Sequence, residues 1–264
     1  MSPSRSAVAG VLLALAFASA AHAGAANIKP WLCPPKQFDS VANFDLAKFI
    51  AAPWYVQNQT VLKYQPKQNL FCVRAKYIPI DPKNLSKGIR VCNFANGGAI
   101  NKAAMGTCLA KGVKPPAGQP PSFEMQGLPW PARRSDPATA ASKLVVGPAN
   151  LLATKSAEEL VKPPPPGAPR LAGPYWVVAV GKSKNAAVGY DWAIVSGGAP
   201  SQATINDACI PPTKSDDGLW LFTRAPVPPK ADVTAMTAAA KALRLDLKAL
   251  APVVQAGCTY AGAA

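Results

Sequence analysis

Short segments that alternate apolar and polar residues recur along this chain, and they constrain its fold more than any other feature. Their positions are residues 71–77, 88–94, 175–180, 190–196 and 219–224. Glycine and proline separate them, and the hairpin signal Asn96-Gly97-Gly98 follows the second segment. A period of two is typical of strands with one buried face. Many short strands divided by Gly/Pro clusters predict an all-β barrel or sandwich.

One helix is predicted near the C-terminus, after the pair Pro228-Pro229. Asp232 is its expected N-cap. The apolar face that we expect to pack on a sheet consists of Val233, Met236, Ala240 and Leu243. The proline-rich region 112–174 cannot be continuous sheet, because proline removes ladder donors. Its strand-like island is 143–146, and we expect long loops near 112–142 and 153–173.

The N-terminus has the features of a secretory signal. Arg5 is the only charge in the first 27 residues, an apolar stretch covers 8–21, and Ala21-His22-Ala23 fits the cleavage rule. We therefore expect a signal over residues 1–23 and a single secreted domain over 24–264. Cleavage would remove His22, the only histidine, and with it every mechanism that needs an imidazole.

An oxidising compartment makes the six cysteines disulfide candidates. They are Cys33, Cys72, Cys92, Cys108, Cys209 and Cys258. No CxxC occurs among them, so neither a metal site nor a cofactor is predicted. Spacing alone leaves many pairings open.

Several of these segments, in order, resemble the lipocalin family, and most closely its branch with apolipoprotein D and the bacterial outer-membrane lipocalin. The matching entry motif has Cys33-Pro34-Pro35, then 43–50, then Pro53-Trp54-Tyr55-Val56. The later matches are 69–77, 175–178, 190–195, 219–226, the C-terminal helix and 255–258. Two departures are Ala52 or Pro53 in place of the family's glycine and 181–184 in place of its Thr-Asp-Tyr.

The resemblance implies an eight-stranded antiparallel up-and-down barrel with the C-terminal α-helix packed outside. It places Arg224 on the Trp54 indole at the closed end, as a cation–π contact. It also implies the disulfides Cys33–Cys209 and Cys72–Cys258. Cys92 and Cys108 then remain, and because they flank the Asn96-Gly97 turn, their bridge would staple a hairpin.

Strand parity indicates which residues face the interior. Unpaired Arg74 and Lys76 would be costly in an apolar interior, so they are expected to face water. Val73, Ala75 and Tyr77 then face inward, together with Trp220 and Phe222. The predicted ligand contacts are Tyr77, Tyr175, Trp220, Val73, Ala75, Val177 and Phe222. The alternative for the aromatic residues is plain filling of the barrel.

The resemblance implies a secreted carrier of a small apolar ligand such as a lipid, sterol, retinoid, carotenoid or bilin. A second hypothesis is a basic interaction protein with a filled cup, which binds an anionic polysaccharide or membrane surface. It draws on the net charge of +15 and on seven basic residues against one acid between Lys63 and Arg90. A third is a lipid- or xanthophyll-modifying enzyme, disfavoured by the missing histidine. Nucleic acid is not an expected partner.

Two N-glycosylation sequons occur, at Asn58 and Asn84. Asn84 follows the Asp81-Pro82 turn and is expected to be exposed and modified. Asn58 shares the parity of Trp54, so it is expected to point inward and stay bare.

Overall fold

The computed structural model describes residues 33–114, 124–129, 140–162, 165 and 171–264. Its strands are β1 (Trp54–Gln59), β2 (Phe71–Pro79), β3 (Ile89–Gly97), β4 (Ala103–Gly106), β5 (Met125–Pro129), β6 (Lys143–Pro148), β7 (Gly173–Lys182), β8 (Tyr190–Ser196), β9 (Gln202–Ala203), β10 (Cys209–Ile210), β11 (Leu219–Thr223) and β12 (Ala251–Pro252). The predicted signal segment 1–23 lies outside the described residues.

The described part of the chain also contains four α-helices and five short 3-10 helices. The α-helices are α1 (Leu46–Ile50), α2 (Ala149–Thr154), α3 (Ala157–Val161) and α4 (Lys230–Ala242). The 3-10 helices are Lys67–Asn69, Leu85–Lys87, Ala140–Ser142, Thr213–Ser215 and Leu247–Ala249. None of the helices that the structure describes is long and apolar enough to cross a membrane.

Eight strands close into a barrel. Each pairs antiparallel with the next in the order β1-β2-β3-β5-β6-β7-β8-β11, and β11 pairs back with β1. Closure leaves the ring without a free edge. The predicted eight-stranded, lipocalin-like barrel is therefore confirmed.

One position in the ring is filled by two strands rather than one. β4 pairs with the second half of β3, from Phe94 to Gly97, whereas β5 pairs with its start, at Ile89 and Arg90. We call β4 and β5 together the split strand. The continuous β3 pairs with both halves, so the ring stays closed although β4 ends at Gly106 and β5 begins at Met125.

The two faces of the barrel wall bury different clusters. The inner cluster includes Val73, Ala75, Tyr77, Val177 and Phe222. Outside, α4 packs on β7 and β8. Its outer cluster consists of Val178, Trp192, Ile194, Leu219, Leu221, Met236, Ala240, Leu245 and Leu250. The alternation read from β2 and β11 is thus the division between interior and exterior.

Several local expectations need correction. The N-cap of α4 is Pro229 rather than Asp232, which lies in the first turn, and Val233 is 40% exposed rather than packed. The proline-rich region contains β5, α2 and α3 in addition to its predicted island, now β6. Asn96-Gly97 ends β3 instead of forming the turn, because it pairs with Ala103 and Ala104.

Three disulfides connect the six cysteines, in the two pairs expected from the resemblance and in the pair that then remained. Cys33 bonds Cys209, Cys72 bonds Cys258, and Cys92 bonds Cys108. The first two join residues 176 and 186 positions apart. The third ties β3 to the segment that follows β4, at the break in the split strand.

Candidate ligand-binding site

The floor of the barrel is closed by a guanidinium on an indole. Arg224 lies 3.5 Å from the centre of the Trp54 ring, which is fully buried. The indole Nε1 donates to the carbonyl of Phe49 at 2.8 Å. Phe49 belongs to α1. The N-cap residue of this helix is Asp45, whose Oδ1 accepts a hydrogen bond from the amide of Lys48. The short helix is thereby fixed across the closed end.

Arg224 also binds the backbone around it. Its Nη2 donates to the carbonyls of Lys48 and Phe49 at 3.0 and 2.9 Å, and its Nε donates to that of Tyr190 at 3.1 Å. Its Nη1 donates to the carbonyl of Ala52. Burial lowers the pKa of Arg224 to about 10, so the side chain remains charged at neutral pH.

Aromatic rings continue from this floor towards the mouth. Phe49 packs on Trp54 at 5.1 Å and on Tyr77 at 5.6 Å between ring centres. Tyr77 meets Tyr175 edge to face at 6.2 Å, and Tyr175 stacks with Trp220 at 6.3 Å. These rings form one continuous row, and those of Tyr77, Tyr175 and Trp220 are open to an apolar molecule in the cavity.

A cavity of about 460 Å³ lies inside the barrel, within the size range of small-molecule sites. Six of the seven predicted contacts line it: Val73, Ala75, Tyr77, Tyr175, Trp220 and Phe222. The exception is Val177, which is buried in the inner cluster away from the cavity wall. Because the cavity exists, the aromatic side chains do not fill the barrel completely.

A pair of tyrosines supplies polar atoms near the floor of the cavity. The hydroxyl groups of Tyr77 and Tyr175 share a hydrogen bond of 2.5 Å. Burial raises the pKa of both hydroxyls above the usual value. Both are therefore neutral at physiological pH, and the base of the cavity carries no phenolate charge.

Sequence reasoning missed Gln59 because of a β-bulge in β1. The register shifts between Val56 and Asn58, so that Val56 pairs with Phe222 but Gln59 pairs with Trp220. Gln59 thus takes the inner face and lines the cavity. Asn58 pairs with Leu221 on the outer face. The prediction that Asn58 points inward is therefore wrong.

The mouth has a more polar rim. Tyr64 and Leu171 are exposed there, and Asp216 and Asp217 lie beside them. Asp216 accepts from the amide of Lys63 at 2.9 Å. Gly218 is needed at this point because a Cβ would lie 2.1 Å from the Trp220 ring. The turn at 216–218 thus gives Trp220 its place in the wall.

The other predicted site residue lies away from the cavity. Asn84 is exposed and accepts from the amide and hydroxyl of Ser86 at 3.1 and 2.6 Å. The described residues contain no group of three or more His, Cys, Asp or Glu that could hold a metal ion.

The chain is similar to several solved structures at low sequence identity. Neither a family model nor a curated protein matches the chain. Solved structures do match: the cockroach allergen Per a 4 shows 13% identity and a TM-score of 0.44, over 82% of this chain and 91% of its own. Lobster apocrustacyanin A1 shows 15% identity and a TM-score of 0.43, over 84% of this chain and 92% of its own. Insecticyanin of the tobacco hornworm Manduca sexta shows 16% identity and a TM-score of 0.47, over 84% of this chain and 85% of its own. The fold assignment itself rests on the strand pairing described above.

Proposed function

We propose that this chain is a lipocalin that binds one small, mostly apolar molecule inside its barrel. The observation that carries the proposal is the cavity of about 460 Å³, walled by Tyr77, Tyr175 and Trp220 above a closed floor. Burial of apolar ligand surface would supply the binding energy, at roughly 25 cal/mol per Å² before entropy costs. A carrying or sequestering role follows from this chemistry.

Membership of the lipocalin family is supported by two independent features. The motifs from Cys33 to Cys258 follow the family's order, and the chain closes with the strand order and the Trp54–Arg224 contact that the family pattern implies. The relation to the apolipoprotein D branch remains a prediction from the motifs. We also propose secretion, which fits the three disulfides.

The hypothesis of a filled cup is less well supported, because it requires a barrel packed from floor to rim. Binding to anionic polysaccharide or membrane surfaces stays a prediction from the net charge. Part of that charge is already engaged: Arg90 pairs with Glu124 at 3.1 Å, and Arg74 donates to the carbonyl of Ala264. Each cysteine is in a disulfide, so the enzymatic alternative has no free thiol to use.

The experiment replaces one cavity tryptophan and one outer tryptophan. In Trp220→Ala, the affinity for the neutral fluorescent probe N-phenyl-1-naphthylamine should fall about tenfold, because a wall of the cavity is lost. Trp176→Ala is the matched control: Trp176 packs against the outer cluster and does not line the cavity, so this variant should keep the affinity within about twofold. Equal affinities in all three proteins, or a wild type that takes up no probe, would contradict the proposal.

The natural ligand can be sought directly. The protein, purified without detergent, is extracted with organic solvent and the extract is analysed by mass spectrometry. A stoichiometric lipid, sterol, retinoid, carotenoid or bilin would identify the cargo.

A further inference from the structure

One buried acceptor atom of a residue that borders the cavity has no hydrogen-bond partner among the residues that the structure describes. It is Oε1 of Gln59, whose side chain is completely buried. The pairing of Gln59 with Trp220 puts this side chain on the inner face of β1, where it borders the cavity. A buried acceptor without a donor is unfavourable, so this atom requires an explanation.

The orientation of the Gln59 amide follows from its other contacts. Its Nε2 donates to the backbone carbonyl of Thr60 at 3.3 Å and to Oε1 of Gln65 at 3.1 Å. The carbonyl can only accept, so the nitrogen end of the amide must face it. The oxygen end therefore does not face this carbonyl, and it remains an acceptor without a donor.

The charges near the cavity disfavour an anionic partner for this acceptor. Asp216 and Asp217 lie at the mouth, where they repel a carboxylate. Arg74 borders the cavity, but it stands on the outer face of β2 and its guanidinium donates to the carbonyl of Ala264. A carboxylate would also present only acceptors to the lone acceptor of Gln59.

We infer that Gln59 Oε1 accepts a hydrogen bond from a hydroxyl or amide N–H of the ligand. The barrel then selects uncharged amphiphiles that have an apolar body and one donor-bearing head group, in preference to fatty-acid carboxylates and to molecules without a donor. This inference rests on the proposed function, since it names the class of ligand for the same cavity.

The test compares three probes of one chain length. 1-Dodecanol has a donor, methyl dodecyl ether has an acceptor without a donor, and dodecanoate has a negative charge. Each competes with N-phenyl-1-naphthylamine at neutral pH. The wild-type protein should bind the alcohol about 3- to 10-fold more tightly than the ether, as expected for one neutral hydrogen bond, and dodecanoate should bind less tightly than the alcohol.

The variants separate the hydrogen bond from general packing. Gln59→Met keeps the length of the side chain without the acceptor, so the preference for the alcohol over the ether should fall to about one. Gln68→Met is the matched control, because Gln68 is exposed outside the cavity, and it should keep the wild-type preference. Near-ultraviolet circular dichroism verifies that each variant is folded.

The possible outcomes distinguish this inference from the proposal on which it rests. If no probe and no dye binds to the wild type, the proposed ligand-binding function fails. If all three probes bind equally well, or if dodecanoate binds most tightly, only the inference about Gln59 is overturned. A preference that persists in Gln59→Met overturns it as well, and a wild type that lacks the preference overturns it even if that variant does not fold.

Discussion

Replacing Arg224 with methionine should destabilise the barrel by removing the group that closes its floor. The variant loses the cation–π contact with Trp54, worth roughly 0.5–2 kcal/mol. It also leaves carbonyls without their donor, and those of the buried residues Phe49 and Tyr190 cost about 1–3 kcal/mol each. The carbonyl of Phe49 keeps its bond from the Trp54 indole, which reduces the loss. We therefore expect about 3–5 kcal/mol in total.

The measurement is urea unfolding followed by tryptophan fluorescence, with the disulfides intact. Arg244→Met is the matched control, because the exposed Arg244 guanidinium donates one hydrogen bond, to the carbonyl of Asp207. That variant should lose less than about 1 kcal/mol. Arg224→Lys keeps the charge but not the planar fork, so it should fall between wild type and Arg224→Met. A loss below about 1 kcal/mol in Arg224→Met, or an equal loss in Arg244→Met, would refute this account of the floor.

Three further predictions concern the pH dependence, the disulfides and the glycan. Burial raises the folded-state pKa of Tyr77 and Tyr175, so above the ordinary value of 10.0 the unfolded chain loses protons that the folded chain keeps. This pair should thus leave the free energy of unfolding unaffected below pH 10 and lower it above pH 10. The decrease with pH should be less steep when both residues are replaced by phenylalanine, and the same decrease in that variant would contradict the prediction. Replacing Cys92 and Cys108 with alanine should cost about 3 kcal/mol, from the loop of 16 residues, and thiol titration of the unreduced, unfolded wild type should find no reactive thiol. In a eukaryotic host, peptide mapping should find glycan on Asn84, and an unmodified Asn84 would count against its predicted exposure during synthesis.

The strands with clear alternation were predictable because one property determines them. In β2 and β11, the side chains at every second position face the interior of the barrel. Strand parity alone therefore assigns Val73 and Phe222 to the interior. β8 likewise covers the expected residues 190–196. The part of the cavity wall that β2 and β11 contribute could be assigned before any coordinates.

What could not be predicted depends on contacts between distant parts of the chain. β5 contains Gly127 and Pro129 and has no β-branched residue, so its sequence carries little strand preference. It is a strand because β3 and β6 both pair with it. Gln59 was missed for a related reason: a bulge reverses parity, and no residue in β1 announces it.

The split strand has a practical consequence for anyone who wishes to modify this protein. β3 pairs with strands on both sides of the gap, and the disulfide Cys92–Cys108 holds the segment that follows β4. The circumference of the barrel therefore does not determine how many residues connect β4 to β5. Foreign peptides could be inserted at this point in the side of the barrel. Most barrels accept insertions only in the loops that connect their strands. The insertion position lies in the side wall of the barrel, between Gly106 and Met125, which both line the cavity.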